Sequence, residues 1–255
     1  MKEKFKIPKV IHYVWVGGKE KPSKIKNCIK TWEKKYPDFI IKEWNEKNFD
    51  INSNEYVKAA YEAKKWAFVS DYIRMYAIYN EGGVYFDTDI IAIDRIDDML
   101  DNECFVGFES DNMPFTAVFG AVKKHKLIGK ILEMYDTASK KFDATSTNTI
   151  LVSDILINDY GCKLGNVEQM LDDGIKVYKK EILCNPSMKS RTIHAFTASW
   201  NKEHKVSLIG RFEIWLRGKM TNKFRIFFYR ILDFLLFIPK RKIGKMLKRN
   251  GNENK

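Results

Sequence analysis

A strand, a helix and a second strand follow one another within the first 45 residues, and this order constrains the fold more than any other feature. KVIHYVWVG (9–17) is rich in β-branched and aromatic residues and runs into Gly17-Gly18, as a strand followed by a turn does. PSKIKNCIKTWEKKY (22–36) places Ile25, Cys28, Ile29 and Trp32 at helical spacing and ends at Tyr36-Pro37. DFIIKEWN (38–45) then reads as a second strand. Two strands joined through a helix pair side by side in parallel, so the chain is expected to form an α/β domain on a mostly parallel central sheet. With 17 Phe, 12 Tyr and 6 Trp, the 255 residues carry ample apolar surface for such a core, and disorder over most of the length is excluded.

Further along, 54–80 has helical periodicity (Tyr56, Ala60, Ala63, Ala67, then Tyr72, Met75, Tyr76, Tyr79) and stops at Glu81-Gly82-Gly83. A strand over 84–93 follows, interrupted by Asp87 and Asp89. CFVGFES (104–110) and FTAVFGAV (115–122) read as two strands of a hairpin, 125–139 and 147–161 as helices, and 175–183 as a late strand. No internal repeat is visible, and no linker composition precedes residue 205. The division drawn is a single α/β domain over 1–204 and a basic amphipathic C-terminal extension over 205–255.

The two aspartates pose a chemical question. Residues 87 and 89 of a strand face the same side, roughly 7 Å apart at about 3.3 Å per residue, and can converge where strand gives way to loop. Burial and mutual repulsion both oppose two such carboxylates, so either both are solvated at a strand exit or a divalent cation between them offsets the repulsion. Hard oxygen ligands at this spacing suit Mg²⁺ or Mn²⁺ with positions left open for substrate phosphates. Upstream, Asp71 and Arg74 share a helix face at i and i+3 among apolar neighbours, and a guanidinium near a divalent metal can grip diphosphate oxygens bidentately.

These residues carry a resemblance. AFVSDYIRMYAIYNEGGVYFDTDI (67–90) is similar to the A-x-x-S-D-x-x-R…G-G-x-Y-x-D-x-D signature of the DXD-containing sugar transferases. That group includes capsular and lipopolysaccharide glycosyltransferases, yeast initiating mannosyltransferases and the catalytic domains of clostridial glucosylating toxins. IPKVIHYVWVGG (7–18) resembles the family's first strand and IHAFTASW (193–200) its late H-x(4–5)-S-W segment, in family order. The resemblance implies a GT-A fold, a nucleotide-sugar donor, Mn²⁺ or Mg²⁺, and transfer with retention. Carried over by position, Trp15 stacks on the base, Asp71 bonds ribose or donor sugar, Arg74 contacts diphosphate or sugar, and Tyr85 lies beside the phosphates. Asp87 contacts ribose or a water-bridged metal, Asp89 ligates the metal, and His194, Ser199 and Trp200 close the site on metal and β-phosphate. Asn148 and Thr147 fall where such enzymes present polar groups to donor or acceptor, while Trp32, Trp44 and Trp66 are assigned to the core. UDP-sugars are favoured over GDP-mannose as donors, and the expected acceptor is a surface polysaccharide or lipid-linked glycan. An aspartate-based phosphohydrolase would want its D-x-D near the first strand. A non-catalytic nucleotide-sugar-binding protein is the other alternative, set against the presence of Asp71, Arg74, Asp87 and Asp89.

Charge is concentrated at the end of the chain. Of the net +12, residues 205–249 supply +11, with 13 Lys/Arg against Glu213 and Asp233. Phe224, Phe228, Ile231, Leu235 and Ile238 form an apolar stripe at helical spacing. FLLFI is far too short to span a bilayer, so 211–249 is expected to lie on an anionic membrane surface, with packing on the catalytic body as the alternative. The aromatics cluster with aliphatics, which argues against nucleic acid as a partner. The amino terminus has no continuous apolar run of the signal-peptide kind, and Cys28, Cys104, Cys162 and Cys184 have neither zinc spacing nor disulfide-framework spacing. The expected location is cytoplasmic, on the inner face of the plasma membrane.

Overall fold

The computed structural model describes residues 5–137, 142, 147–196 and 208–234. β1 (Val10–Val14), α1 (Ser23–Lys35) and β2 (Ile40–Trp44) form the expected opening unit, with β1 and β2 paired in parallel from Val10↔Ile40 to Val14↔Trp44. α1 buries Ile25, Cys28 and Trp32 along one face. The periodic stretch that reads as one helix is two, α2 (Glu55–Glu62) and α3 (Trp66–Glu81). Lys64 takes a left-handed φ of 56°, which ends α2 and reorients the chain before α3 begins. The Asn54 side chain caps α2, accepting from the backbone of Tyr56 and Val57.

β3 (Gly83–Phe86) and β4 (Ile90–Ala92) are the two halves of the interrupted strand, and they enter different sheets. β5 (Cys104–Gly107) and β6 (Val118–Ala121) pair antiparallel as expected, and α4 (Lys126–Thr137) and α5 (Asn148–Asn158) follow. β7 (Gln169–Leu171) has no counterpart in the sequence reading. The late strand is shorter than its apolar pattern: β8 (Ile175–Tyr178) gives way to a single turn, α6 (Lys180–Leu183). β9 (Thr192–His194), also unforeseen as a strand, precedes α7 (Leu208–Arg217) and α8 (Lys223–Leu232).

The main sheet has seven strands in the order β2-β1-β3-β6-β5-β8-β7. Five of them, β2, β1, β3, β5 and β8, run the same way, and β6 and β7 run against them. The carboxyl ends of β1, β3 and β5 therefore open on one edge, where open α/β sheets hold ligands. Each face of the sheet carries its own core. Tyr85 points to the side of α2, α3, α4 and α5, and Val84 and Phe86 point to the side of α1 and β4, as the two-residue period of a strand requires. Met220, Ile226 and Tyr229 belong to this second core, so the C-terminal helices pack on the body of the molecule. Among the described residues no helix is long and apolar enough to cross a membrane.

β3 sits tightly beside β1. A Cβ on Gly83, where φ is 108°, would lie 2.8 Å from the Val10 carbonyl oxygen and 3.0 Å from His12 Nε2. His12 is wholly buried, with its Nδ1 accepting from Trp44 Nε1 (3.0 Å) and its Nε2 bonded to the Gly82 carbonyl (2.8 Å). Those two partners fix a neutral imidazole with the proton on Nε2.

Candidate active site

The D-x-D residues occupy a tight turn between β3 and β4 rather than a continuous strand. Four hydrogen bonds shape it. The Asp87 amide donates to Ala117 O (3.0 Å), and the Ile90 amide donates back to Asp87 O (3.0 Å). Trp32 Nε1 donates to Ile90 O (2.7 Å), and the Ala195 amide donates to Asp89 O (3.1 Å). The last of these continues the antiparallel pairing of β4 with β9, in which Ile90 lies opposite His194. A residue more than a hundred positions downstream is thereby fixed beside the turn.

Asp87, Asp89 and His194 each present one ligand atom, and these atoms all lie within 4.8 Å of one another. His194 Nε2 is 3.2 Å from Asp89 Oδ1. Burial disfavours charge on this imidazole, yet the Asp89 carboxylate outweighs it and raises the pKa well above the usual histidine value. Two carboxylates and an imidazole form a mixed oxygen and nitrogen donor set that fits Mn²⁺, and its carboxylates also fit Mg²⁺.

Behind the turn lies the Asp71–Arg74 pair on α3. An exposed ion pair at this i, i+3 spacing would be worth little, but the structure buries both residues. Arg74 Nη2 is 3.1 Å from Asp71 Oδ1 and 3.1 Å from Asp87 Oδ1, so one guanidinium serves two carboxylates. The guanidinium lies 4.7 Å over the Tyr85 ring and donates to Ser70 Oγ (3.3 Å), while Ser70 Oγ and Tyr85 OH are 3.1 Å apart. Burial works against its charge, but Asp87, Tyr85 and Asp71 hold its pKa above the usual arginine value. For Asp71, burial dominates the help from Arg74, and its carboxyl is pushed up to about 6. The amino end of α5 also faces it, with the Asn148 amide donating to Asp71 Oδ2 (3.4 Å). Asn148 Nδ2 donates to Tyr135 OH (2.7 Å), and Asn148 Oδ1 is buried without a hydrogen-bond partner. Thr147 precedes α5 and makes no side-chain cap.

Trp15 follows β1 on the same sheet edge as Asp87, half-buried, with its Nε1 donating to Lys19 O (2.6 Å). Trp32 and Trp44 are core residues, and Trp66 packs at the core's margin. Ser199 and Trp200 lie outside the described residues, as do Leu235 and Ile238 of the apolar stripe.

Sequence reasoning passed over Glu109. It follows β5 on the same edge, and its Oε2 is 4.0 Å from His194 Nδ1. Burial raises its pKa, with His194 opposing the shift and Asp87 and Asp89 reinforcing it. The available signal was that CFVGFES, like VYFDTD, is an apolar strand that ends in an acid.

Residues 22–106 match the family described as glycosyltransferase sugar-binding region containing DXD motif. This span includes Asp71, Arg74, Asp87 and Asp89 and excludes Trp15, Glu109 and His194. Among solved structures, the chain is similar to the PaToxG glycosyltransferase at 18% identity and a TM-score of 0.46, over 60% of this chain and 69% of that one. It is also similar to the galactosyltransferase LgtC, solved in complex with donor and acceptor sugar analogues, at 14% identity and a TM-score of 0.37, over 80% of this chain and 82% of that one. No curated protein sequence matches the chain.

Proposed function

We propose that this chain is a DXD-type glycosyltransferase that moves a hexose, with retention, from a nucleoside-diphosphate sugar to a polysaccharide or lipid-linked glycan at the membrane surface. UDP-sugars are the favoured donors and GDP-mannose the competitor. The observation that carries the reading is the convergence of Asp87, Asp89 and His194 on one point with Arg74 directly behind it. Mn²⁺ or Mg²⁺, held by Asp89, His194 and Asp87, would act as a Lewis acid on the donor's phosphate oxygens.

The chain's own groups do the rest. Arg74 holds fixed positive charge where a departing diphosphate gains negative charge, inside a site that water barely reaches. Asp71, buried and oriented by Arg74 and the α5 terminus, accepts from donor hydroxyls, and Tyr85 keeps the guanidinium in place beside the phosphates. Trp15, at the exit of β1, offers a flat surface to the base, and Ser199 and Trp200 close the site from the C-terminal side. Residues 1–204 form the catalytic body, and 205–255 set it on an anionic membrane through 211–249, beside a lipid-linked acceptor.

The test is donor turnover in Mn²⁺. Purified protein incubated with UDP-glucose, UDP-galactose, UDP-N-acetylglucosamine and GDP-mannose should release nucleoside diphosphate from one of them. Release should require the metal and disappear in Asp89→Ala. Absence of release, together with absence of metal-dependent nucleotide binding, would overturn the reading.

A further inference from the structure

Two residues beyond β5, the Glu109 amide donates to Met113 O (2.9 Å), closing a short turn that Ser110 and Met113 also bridge. The preceding Phe108 is fully buried, and its amide donates to Tyr178 O (3.0 Å), extending the pairing of β5 with β8. The backbone on both sides of Glu109 is therefore fixed, and its side chain is aimed inward. Opposite it stands His194 Nδ1, a buried atom that makes no hydrogen bond of good geometry, with the Cys184 thiol also beside the ring. The other nitrogen of that ring, Nε2, faces Asp89 Oδ1 at 3.2 Å, and Phe196 covers the ring with centroids 4.0 Å apart.

We propose that Glu109 is a positioning residue for His194: its carboxylate accepts the proton on Nδ1, which leaves the lone pair of Nε2 directed at the metal. The proposal rests on the metal-dependent reading above and deepens it. A metal-binding histidine whose second nitrogen has no acceptor is free to rotate or to take the wrong tautomer, and a carboxylate at that nitrogen prevents both. Glu109 Oε2 now stands 4.0 Å from Nδ1, and a hydrogen bond of about 2.9 Å needs a closure of only about 1 Å. Glu109 lies outside the group of ligand atoms formed by Asp87, Asp89 and His194, and it meets the imidazole on the nitrogen away from Asp89. That placement is a supporting position for the ligand rather than a ligand position.

Mn²⁺ affinity measured by electron paramagnetic resonance of the free ion, with and without UDP, tests this apart from turnover. Wild type, Glu109→Gln, Glu109→Ala and Asp89→Ala are compared, and thermal denaturation checks that each is folded. The expected order is loss of binding in Asp89→Ala, a weakening of about 10–100-fold in Glu109→Ala, and a much smaller loss in Glu109→Gln, whose amide oxygen still accepts from Nδ1. Wild-type affinity in Glu109→Ala would overturn the assignment while leaving the metal site intact. Equal weakening in Gln and Ala would also overturn it, because the carboxylate would then be a direct ligand. Failure of the wild type to bind Mn²⁺ in either condition would overturn both this proposal and the metal reading on which it depends.

Discussion

Arg74 joins two carboxylates that would otherwise repel each other across a poorly hydrated space. Its Nη2 lies 3.1 Å from each of Asp71 and Asp87, so removing it leaves two acids without their shared counter-ion. Breaking a buried pair in this way costs about 3–5 kcal/mol. Arg74→Ala is therefore expected to lose stability of that order in urea denaturation. Its kcat/KM on the active donor should fall by about 10²–10³, the size of effect seen when one preorganised charge-stabilising donor is removed. Arg74→Lys keeps the charge but not the planar fork, so it should recover stability more than activity. His12 illustrates a different role for a polar side chain in the core. Burial lowers its pKa below the usual 6.5, overriding the hydrogen bond to Gly82 and the Glu81 charge. Unfolding lets this imidazole take up a proton, so its contribution is complete above about pH 6.5 and is lost as the pH falls from there toward the folded-state pKa. Asp71, pushed up to about 6, acts with the opposite sign, because the folded state binds its proton first as the pH falls. The informative quantity is thus the stability difference between wild type and His12→Gln. It should be larger at pH 8 than at pH 5, by about 1.4 kcal/mol for each unit of depression. A pH-independent difference would remove His12 as a titrating group.

At the scale of elements, the D-x-D turn depends on a helix that contributes nothing to the chemistry. Trp32 of α1 is fully buried, packs edge-on against Phe86 (5.4 Å) and Tyr13 (5.6 Å), and donates to the Ile90 carbonyl one residue beyond Asp89. Trp32→Phe keeps most of the packing but leaves that carbonyl unpaired, a loss of about 1–3 kcal/mol. Trp32→Ala adds a cavity and should cost about 3–5 kcal/mol. If Trp32 holds the turn as well as the core, Mn²⁺ affinity should fall in both variants, and unchanged affinity in Trp32→Phe would confine its role to packing. The same region shows what the sequence could reveal. α3, the Gly82-Gly83 break and β3 were legible because their signals are local: helical spacing, two glycines, an apolar run ending in acids. The kink at Lys64 was not, because nothing in a periodic alanine-rich stretch marks a left-handed lysine. β7 and β9 escaped because each is three residues long and exists only through its partner. His194 entered the candidate site through a family resemblance, since its neighbour Ile90 is remote in sequence. Glu109 had no such guide, and its closeness to His194 is purely tertiary.

For the molecule as a whole, the unsettled surface is the one formed by α7 and α8. Ile226 and Tyr229 turn inward, and Lys223 Nζ pairs with Asp94 at 2.8 Å, so α8 is fastened to the body along one side. Its other side is apolar and open: Phe224, Phe227, Phe228, Ile231 and Phe234 are between 42% and 71% exposed, as are Phe212 and Trp215 of α7. An exposed aromatic face of this kind marks an interaction site. Lys219, Arg225 and Arg230 lie among these residues, which favours an anionic lipid surface over a protein groove. The buried face also determines how the idea should be tested. Truncation at residue 210 would strip Met220, Ile226 and Tyr229 from the second core, and any loss of binding would be confounded with unfolding. Replacing Phe224, Phe228 and Phe234 together by Ser alters only exposed side chains, so thermal stability should change by less than about 0.5 kcal/mol per site. Each phenyl ring inserted at the acyl boundary contributes on the order of 1 kcal/mol or more. The triple variant should therefore bind vesicles of phosphatidylcholine with phosphatidylglycerol at least about 10²-fold more weakly than wild type in co-sedimentation. Wild-type binding should weaken with added salt, as attraction to anionic headgroups is screened over about 8–10 Å. Equal sedimentation of wild type and triple variant would sink the membrane assignment and leave the aromatic face to a protein partner.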